Sequence, residues 1–216
     1  MLVEDVMTRE VITAYPEMTV METLTLARSN RIRHVPVTEN GILKGVVSDR
    51  DLRDVSPSIL ASMDVDLLEN TLVKDIMVKN VITVHPLDTV EEAARLLYKH
   101  KIGCLPVVTG KNKLAGIVTD GDILFCFVEM MGMLERGTVL RVEIPDDPSE
   151  LIRALEIVQS HRVNIISFFL LPKEVSQQGF RQLLLRLQSI DPSRILADLR
   201  DQGYTVKLPE FWRFGK

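Results

Sequence analysis

Val3-Glu-Asp-Val-Met-Thr-Arg-Glu-Val-Ile-Thr-Ala-Tyr-Pro16 returns along the chain as Val73-Lys-Asp-Ile-Met-Val-Lys-Asn-Val-Ile-Thr-Val-His-Pro86. Aligned without a gap, residues 3–37 and 73–107 share 14 identities in 35 positions. After one inserted residue, Gly45-Val-Val-Ser-Asp-Arg-Asp-Leu52 matches Gly116-Ile-Val-Thr-Asp-Gly-Asp-Ile123. Solenoid units repeat every ~20–50 residues, so a longer repeat such as this one reads as a subdomain. Two copies of one small unit pair face to face about a pseudo-twofold axis. Such pairing creates two related clefts, the layout of a sensor more often than of an enzyme.

Each copy carries the same ordered signals. Extended Val11-Ile-Thr13 stops at Pro16, whose ring disfavours helix in the residue before it. Thr19 and Glu22 form a predicted capping box, as do Thr89 and Glu92. Val20, Leu24 and Ala27 follow at the spacing of a buried helical stripe. Strands at Val35-Pro-Val37 and Leu43–Val47 flank Glu39-Asn-Gly41, a hairpin turn. A second helix opens at Ser48-Asp49, so the unit reads β-α-β-β-α. Residues 54–72 link the copies, with Ser56-Pro-Ser58 as a break and Ile59, Leu60, Met63, Leu67 and Leu68 expected to pack. Phe125, Phe127, Val128, Met130, Met131 and Met133 form a dense apolar segment over 124–137. It fits either a helix packed within its own module or a dimer contact.

A second pattern begins at Thr138. Leu140, Val142 and Ile144 alternate with Arg141 and Glu143, as in a half-buried strand. Asp147-Pro-Ser-Glu150 reads as a helix start with Asp at the cap, Pro first and Glu third; Leu151, Leu155 and Val158 supply its buried stripe. Strands are expected at Asn164–Leu171 and, after Gln177-Gln-Gly179, at Phe180–Leu187. Asp191-Pro192 opens a last helix that stops at Gly203 before the strand Tyr204–Leu208. The order is β-α-β-β-α-β, a ferredoxin-like unit. Phe211-Trp212-Arg-Phe214 is too aromatic for a solvated tail and is expected to pack on this sheet.

Composition bounds the function. The chain has 216 residues, 46% hydrophobic and 26% charged, with a net charge of -4. Those fractions suit a soluble globular protein. The mild negative charge offers no field for nucleic acid or anionic lipid. No apolar run approaches the ~20 residues of a membrane helix, and Met1–Asp5 leads straight into the repeat without a signal-type segment. Cys104 and Cys126 have no metal-ligand spacing. The expectation is a cytoplasmic protein that binds neither nucleic acid nor membrane.

Candidate chemistry sits where strand meets helix. Ser48 with Asp51, and Thr119 with Asp122, place a hydroxyl and a carboxylate three residues apart. The carboxylate suits the two hydroxyls of a ribose. The hydroxyl, with free N–H groups at the helix start, suits a phosphate oxygen. The same spacing is a capping box that needs no ligand. Glu and Gln reach back to a cap better than Asp, and both copies use Asp, which tips the balance slightly toward a ligand and leaves the capping reading open. Arg31-Ile-Arg33-His34-Val-Pro36 has the counterpart Lys101-Ile-Gly103-Cys104-Leu-Pro106. Arg33 and His34 suit phosphates, whereas Gly103 and Cys104 do not, so the clefts should differ in phosphate affinity. His34, His85, His100 and His161 lack partners at metal spacing, and Asp49, Asp51, Asp120 and Asp122 read as helix-start acids rather than as a metal site. No nucleophile–base pair or phosphate-binding loop argues for catalysis.

The ordered set Asp5-Val-Met7, Val11-Ile-Thr13, Pro16, Pro36-Val37 and Gly45–Asp51, repeated as Asp75-Ile-Met77 through Gly116–Asp122, closely resembles cystathionine-β-synthase (CBS) domains. The tandem resembles a Bateman module. The resemblance implies an α+β fold with CBS subdomains over 1–60 and 61–132 paired about a pseudo-twofold axis. It implies an adenosine-containing effector (AMP, ADP, ATP or S-adenosylmethionine) and no catalytic cofactor. The residues implied to bind nucleotide are Thr13, Arg33, His34, Pro36, Ser48 and Asp51 in copy one. In copy two they are Thr83, Lys101, Pro106, Thr119 and Asp122. Asp51 and Asp122 would hold ribose hydroxyls, and Thr13 and Thr83 would line the adenine pocket. Residues 138–210 resemble an ACT domain by topology and by Asp146-Asp-Pro-Ser-Glu-Leu151, with Ser149 where such domains usually carry Gly. The two-module order is similar to acetoin-utilisation B-type proteins. Together these imply a regulatory homodimer acting on an unknown partner protein; the alternatives are a ligand-free dimerisation scaffold and a nucleotide-acting enzyme.

Overall fold

Pro16, Pro36, Pro86 and Pro106 decide how much sheet each copy can form. Ala14 makes an isolated parallel bridge to Val37, and Val84 makes the same bridge to Val107. Its two bonds run from Ala14 N–H to the Pro36 carbonyl (3.0 Å) and from Thr38 N–H to the Ala14 carbonyl (2.8 Å). Extending the ladder one rung back needs a donor at Pro36, and one rung forward needs a donor at Pro16. Neither proline has an N–H. Val11-Ile-Thr13 is therefore extended chain ending in a single bridge, and the strand expected there does not form a ladder.

The computed structural model describes residues 1–55 and 65–208, which fall into two units, Met1–Phe125 and Cys126–Lys216. Ser56-Pro-Ser58, Ile59, Leu60, Met63 and Phe211-Trp212-Arg-Phe214 lie outside the described residues.

In the first unit, copy one supplies α1 (Val3–Val6), α2 (Val20–Ser29), β1 (His34–Glu39), β2 (Ile42–Ser48) and α3 (Asp49–Asp54). After α4 (Val65–Asn70), copy two supplies α5 (Val73–Ile76), α6 (Val90–His100), β3 (Cys104–Thr109), β4 (Lys113–Thr119) and the start of α7 (Asp120–Met130), which continues past the unit's end at Phe125. The strands form one sheet in the order β1-β2-β4-β3, symmetric about its centre as the repeat requires. The β1–β2 turn places Asn40 at φ 52° and Gly41 at φ 76°, the paired positive angles of a tight hairpin.

The lead-in segments are exchanged between copies. Val3 N–H bonds to the Asp88 carbonyl and Val73 N–H to the Met18 carbonyl; Thr8 N–H bonds to Ile117 and Val78 N–H to Val46. Val73 and Leu68, from beyond the first copy, are fully buried in the core with Val20, Leu24, Val35 and Leu52. Each structural half thus takes its first turn from the other sequence repeat. The contact is close because Gly45 and Gly116 have no side chain. A Cβ on Gly45 would lie 2.6 Å from Met77 Sδ and 2.8 Å from the Val78 carbonyl oxygen, and one on Gly116 2.6 Å from Met7 Sδ.

Caps form unequally. Thr19 and Glu22 close the complete box. Thr89 accepts from Glu92 N–H, but the Glu92 carboxylate turns to Arg95 at 2.6 and 2.7 Å, so the second box is half made. A guanidinium fork outcompetes a lone N–H for a carboxylate. Leu67 is 45% exposed while Leu68 is buried, since neighbours on one short helix cannot share its inner face. Helix α7 does extend the apolar segment, yet Leu124 and Phe125 are 65% and 53% exposed and Phe127, Met130 and Met133 are exposed too. Of the two readings of 124–137, the one packed within its own module is not met.

The second unit contains β5 (Thr138–Pro145), α8 (Pro148–Ser160), β6 (Ile165–Leu170), β7 (Phe180–Leu187), α9 (Ser193–Asp201) and β8 (Thr205–Lys207). Its antiparallel sheet runs β6-β7-β5-β8. β5 alternates buried and half-buried residues without a break, and Leu140, Val142, Ile144, Leu183 and Leu185 form the core with Ala154, Val158 and Leu199. Asp147 caps α8, but Glu150 does not close the box; its carboxylate accepts from the Tyr204 hydroxyl at 2.8 Å and pairs with Arg153. Burial, with Glu150 beside it, pushes the Tyr204 hydroxyl up to about 12.

The exchange predicts that Gly45→Ala destabilises the chain by about 1–3 kcal/mol, the usual cost of overpacking. Gly110→Ala, with nothing within 4 Å of its added Cβ, should stay within about 0.5 kcal/mol. Urea denaturation of both variants is the check; equal stability would show that the close approach is slack.

Candidate functional site

Two clefts lie in the first unit, related by the repeat. The larger, about 450 Å³, is bounded by Ser48 and Asp51 at the β2–α3 junction, by Asn80–Ile82, and by Lys101–Cys104. The smaller, about 310 Å³, is bounded by Thr119 and Asp122 at the β4–α7 junction, by Glu10–Ile12, and by Arg31–His34. Both volumes fall within the ~300–1,000 Å³ usual for small-molecule sites. Each cleft combines the strand-to-helix junction of one copy with two segments of the other, a direct result of the exchanged packing.

The junction is built the same way twice. Asp51 Oδ2 accepts from Ser48 N–H (2.8 Å) and Ser48 Oγ (2.7 Å), and Asp51 N–H donates to Ser48 Oγ (3.2 Å). Asp122 Oδ2 accepts from Thr119 N–H (2.8 Å) and Thr119 Oγ1 (2.7 Å), with Asp122 N–H on Thr119 Oγ1 (3.3 Å). Aspartate therefore reaches the cap without difficulty, and the expectation that its length argues against a capping box is overturned. The helix N–H groups are also less free than expected. Asp49 N–H bonds to the Arg33 carbonyl, Asp120 N–H to the Gly103 carbonyl, and Gly121 N–H to the Asp120 carboxylate. Each aspartate nevertheless uses one oxygen only, and Asp51 Oδ1 and Asp122 Oδ1 have no hydrogen-bond partner among the described residues.

Ser48, Asp51, Thr119, Asp122, Arg33, His34 and Lys101 all line a cleft. Thr13, Thr83, Pro36 and Pro106 do not. Thr13 and Thr83 are half-buried one residue past the lining segments, and both prolines are buried in strands. The carbonyls of Pro36 and Pro106 are spent on the bridges to Ala14 and Val84. Sequence reasoning missed Asn80–Ile82 and Glu10–Ile12 as cleft walls. The repeated Val-Ile before each Thr was visible, but reading it as a strand hid its wall-forming role. It also missed Asp120, which accepts from Arg33 Nη2 at 3.1 Å across the two copies.

His34 and Cys104 occupy matching strand starts in different surroundings. Burial, then the Arg33 charge, lowers the His34 pKa, opposed by Asp120, Asp49 and Asp51. Burial and Asp120 push the Cys104 thiol up to about 12, so it stays protonated. A Cβ on Gly103 would sit 2.7 Å from His34 Cε1, so the imidazole fills the space that copy two leaves open. Among the described residues no helix is long and apolar enough to cross a membrane, and no group of three His, Cys, Asp or Glu is placed to hold a metal.

A linkage follows from His34. An unfolded histidine takes its proton near 6.5, and folded His34 takes it only at lower pH. Below about 6.5 the unfolded chain therefore holds more protons, and stability falls as pH drops. Urea denaturation at pH 7.5 and 5.5 should show a larger acid loss for the wild type than for His34→Gln. Equal losses would place the acid sensitivity elsewhere.

Against known proteins, the family model described as CBS domain matches residues 3–58 and 73–129. The CBS domain pair of protein MJ0100, solved in complex with 5′-methylthioadenosine and S-adenosyl-L-methionine, aligns with a TM-score of 0.51 and 29% identity, over 60% of this chain and 97% of that one. The Vibrio cholerae acetoin utilization protein AcuB gives 0.53 and 35%, over 62% and 95%. CBSX2 in complex with AMP gives 0.53 and 30%, over 60% and 97%; the protein is from Arabidopsis thaliana. The duplicated fold, the paired clefts and a family match covering both repeats agree: this chain belongs to the CBS-domain family.

Proposed function

We propose that this chain is a non-catalytic regulatory sensor whose two clefts bind an adenosine-containing ligand such as AMP, ADP, ATP or S-adenosylmethionine. The observation that carries the reading is the spare carboxylate oxygen on Asp51 and on Asp122, one in each cleft. A carboxylate oxygen with open lone pairs accepts from the vicinal hydroxyls of a ribose. The ligands of the CBSX2 and MJ0100 complexes, AMP, 5′-methylthioadenosine and S-adenosyl-L-methionine, share that ribose and support the class. Ligand shifts only an equilibrium whose two states it binds unequally. Because each cleft is walled by both copies, closing it changes how the copies meet, and a partner protein reads that change.

The exposed apolar residues of α7, Leu124 and Phe125 among them, support a homodimer. We read the second unit as an ACT-type domain on its β-α-β-β-α-β order and sheet arrangement. At the start of its first helix, Ser149 N–H and Oγ both bond to Asp147 Oδ1, at 2.8 and 2.7 Å. That hydroxyl occupies the loop where an amino-acid ligand would approach, so dimerisation or partner contact suits this domain better than amino-acid sensing.

One observation favours a second reading. The capping boxes at Ser48 and Thr119 are complete without ligand, which is what a constitutive scaffold needs. Asp51→Asn with Asp122→Asn separates the two, because asparagine keeps an acceptor for the cap and loses the carboxylate. Calorimetry with AMP should show at least a tenfold loss of affinity in the double variant, with its melting temperature nearly unchanged. Unaltered AMP binding would remove the carboxylates from the site. An absence of stabilisation by any adenosine compound in a thermal-shift screen would favour the scaffold, since bound ligand raises apparent stability. The dimer is tested separately by light scattering: the wild type should have twice the chain mass, and Leu124→Asp with Phe125→Asp should have the mass of one chain.

A further inference from the structure

Among the described residues, Arg33 and His34 are the only ones that line both clefts. By the repeat they belong to the Thr119–Asp122 cleft, as Gly103 and Cys104 belong to the other. They reach the Ser48–Asp51 cleft as well because copy two leaves room. The His34 ring fills the position a Gly103 side chain would take, with Cε1 at 2.7 Å and Nε2 at 2.8 Å from the Cβ that glycine lacks. The Arg33 guanidinium crosses to Asp120, a residue of the Ser48–Asp51 cleft, in an ion pair whose side chains are 65% and 52% exposed. An exposed pair of this kind is weak, so a stronger anion displaces it. The wall is thus single where the rest of the architecture is double.

The remaining charges make that wall decisive. Without Arg33, the larger cleft sets Asp49, Asp51 and Asp120 against Arg50 and Lys101. The smaller sets Glu10 and Asp122 against Arg31. Each then carries one more carboxylate than cation, a surplus that repels a phosphate dianion. Arg33 cancels the surplus in whichever cleft it serves, and its planar fork matches phosphate oxygens. His34, held toward its neutral form by burial, offers a neutral ring nitrogen beside it.

We propose that the two clefts compete for one phosphate clamp, Arg33 with His34. A phosphorylated adenosine ligand in one cleft takes the clamp, and the other cleft then accepts only an adenosine ligand without phosphate. This rests on the reading of the clefts as adenosine sites and adds their stoichiometry and their discrimination between ligands.

Calorimetry of the full chain with AMP and with adenosine tests it. Adenosine should saturate at two per chain and AMP at one, and AMP-saturated protein should still take up one adenosine. Two AMP molecules bound with equal affinity overturn the shared clamp and leave the sensor standing. Failure of both compounds to bind overturns the adenosine reading and the clamp with it. Arg33→Gln should weaken AMP at least tenfold and leave adenosine affinity unchanged. An equal loss for both compounds, or no loss for AMP, overturns the role given to Arg33.

Discussion

The exchange of residues 2–8 and 72–78 between the two copies is the constraint on which the rest of the first unit depends. It satisfies backbone groups in pairs: Thr8 with Ile117, Val78 with Val46, Val3 with the Asp88 carbonyl, Val73 with the Met18 carbonyl. It also buries Val3 and Val73 completely, each worth roughly 1.5–3 kcal/mol for a side chain of that size. A net hydrogen bond adds about 1 kcal/mol, but leaving such a group buried and unpaired costs more than that. Neither half can therefore release its partner without exposing both a core position and a row of backbone donors. The clefts inherit this constraint, because the segments that follow the exchanged turns, Glu10–Ile12 and Asn80–Ile82, become their walls.

Much of this was legible in the sequence because duplication supplies an internal check. A cap or turn read in one copy can be tested on the other, and the helix starts at Thr19, Ser48, Thr89 and Thr119 all stand where the repeat puts them. The β-α-β-β-α-β order of the second unit was equally readable. There, alternation in β5 and turn residues such as Gly179 and Gly203, both at positive φ, mark the elements locally. What stayed hidden was contact between distant residues. Periodicity cannot say that Val73 packs in the core of copy one, or that Arg33 meets Asp120. The extended Val11-Ile-Thr13 failed as a strand for a nonlocal reason too, since the missing donor belongs to Pro36, far along the chain.

The candidate site was legible in its chemistry and less so in its geometry. The hydroxyl–carboxylate pairs were found by spacing, and the structure makes them complete caps with one oxygen to spare. Aspartate closes the cap despite its shorter reach, with Ser48 Oγ donating to Asp51 Oδ2 at 2.7 Å and the box complete. The sequence assigns Arg33-His34 and Gly103-Cys104 to separate clefts, whereas Arg33 and His34 line both. The lengths of Arg33 and His34 are plain in the sequence, but that the His34 ring fills the space over Gly103 depends on how the two copies pack.

The reciprocal turns have a bearing on how such a chain could arise. A single repeat expressed alone would lack its first buried valine and the donors that close its sheet, and could recover them only from another molecule. Joining two repeats in tandem turns that encounter into an intramolecular event, at an effective concentration on the order of millimolar. Once covalently joined, the halves no longer need to be identical, and a histidine on one side can be accommodated by a glycine on the other.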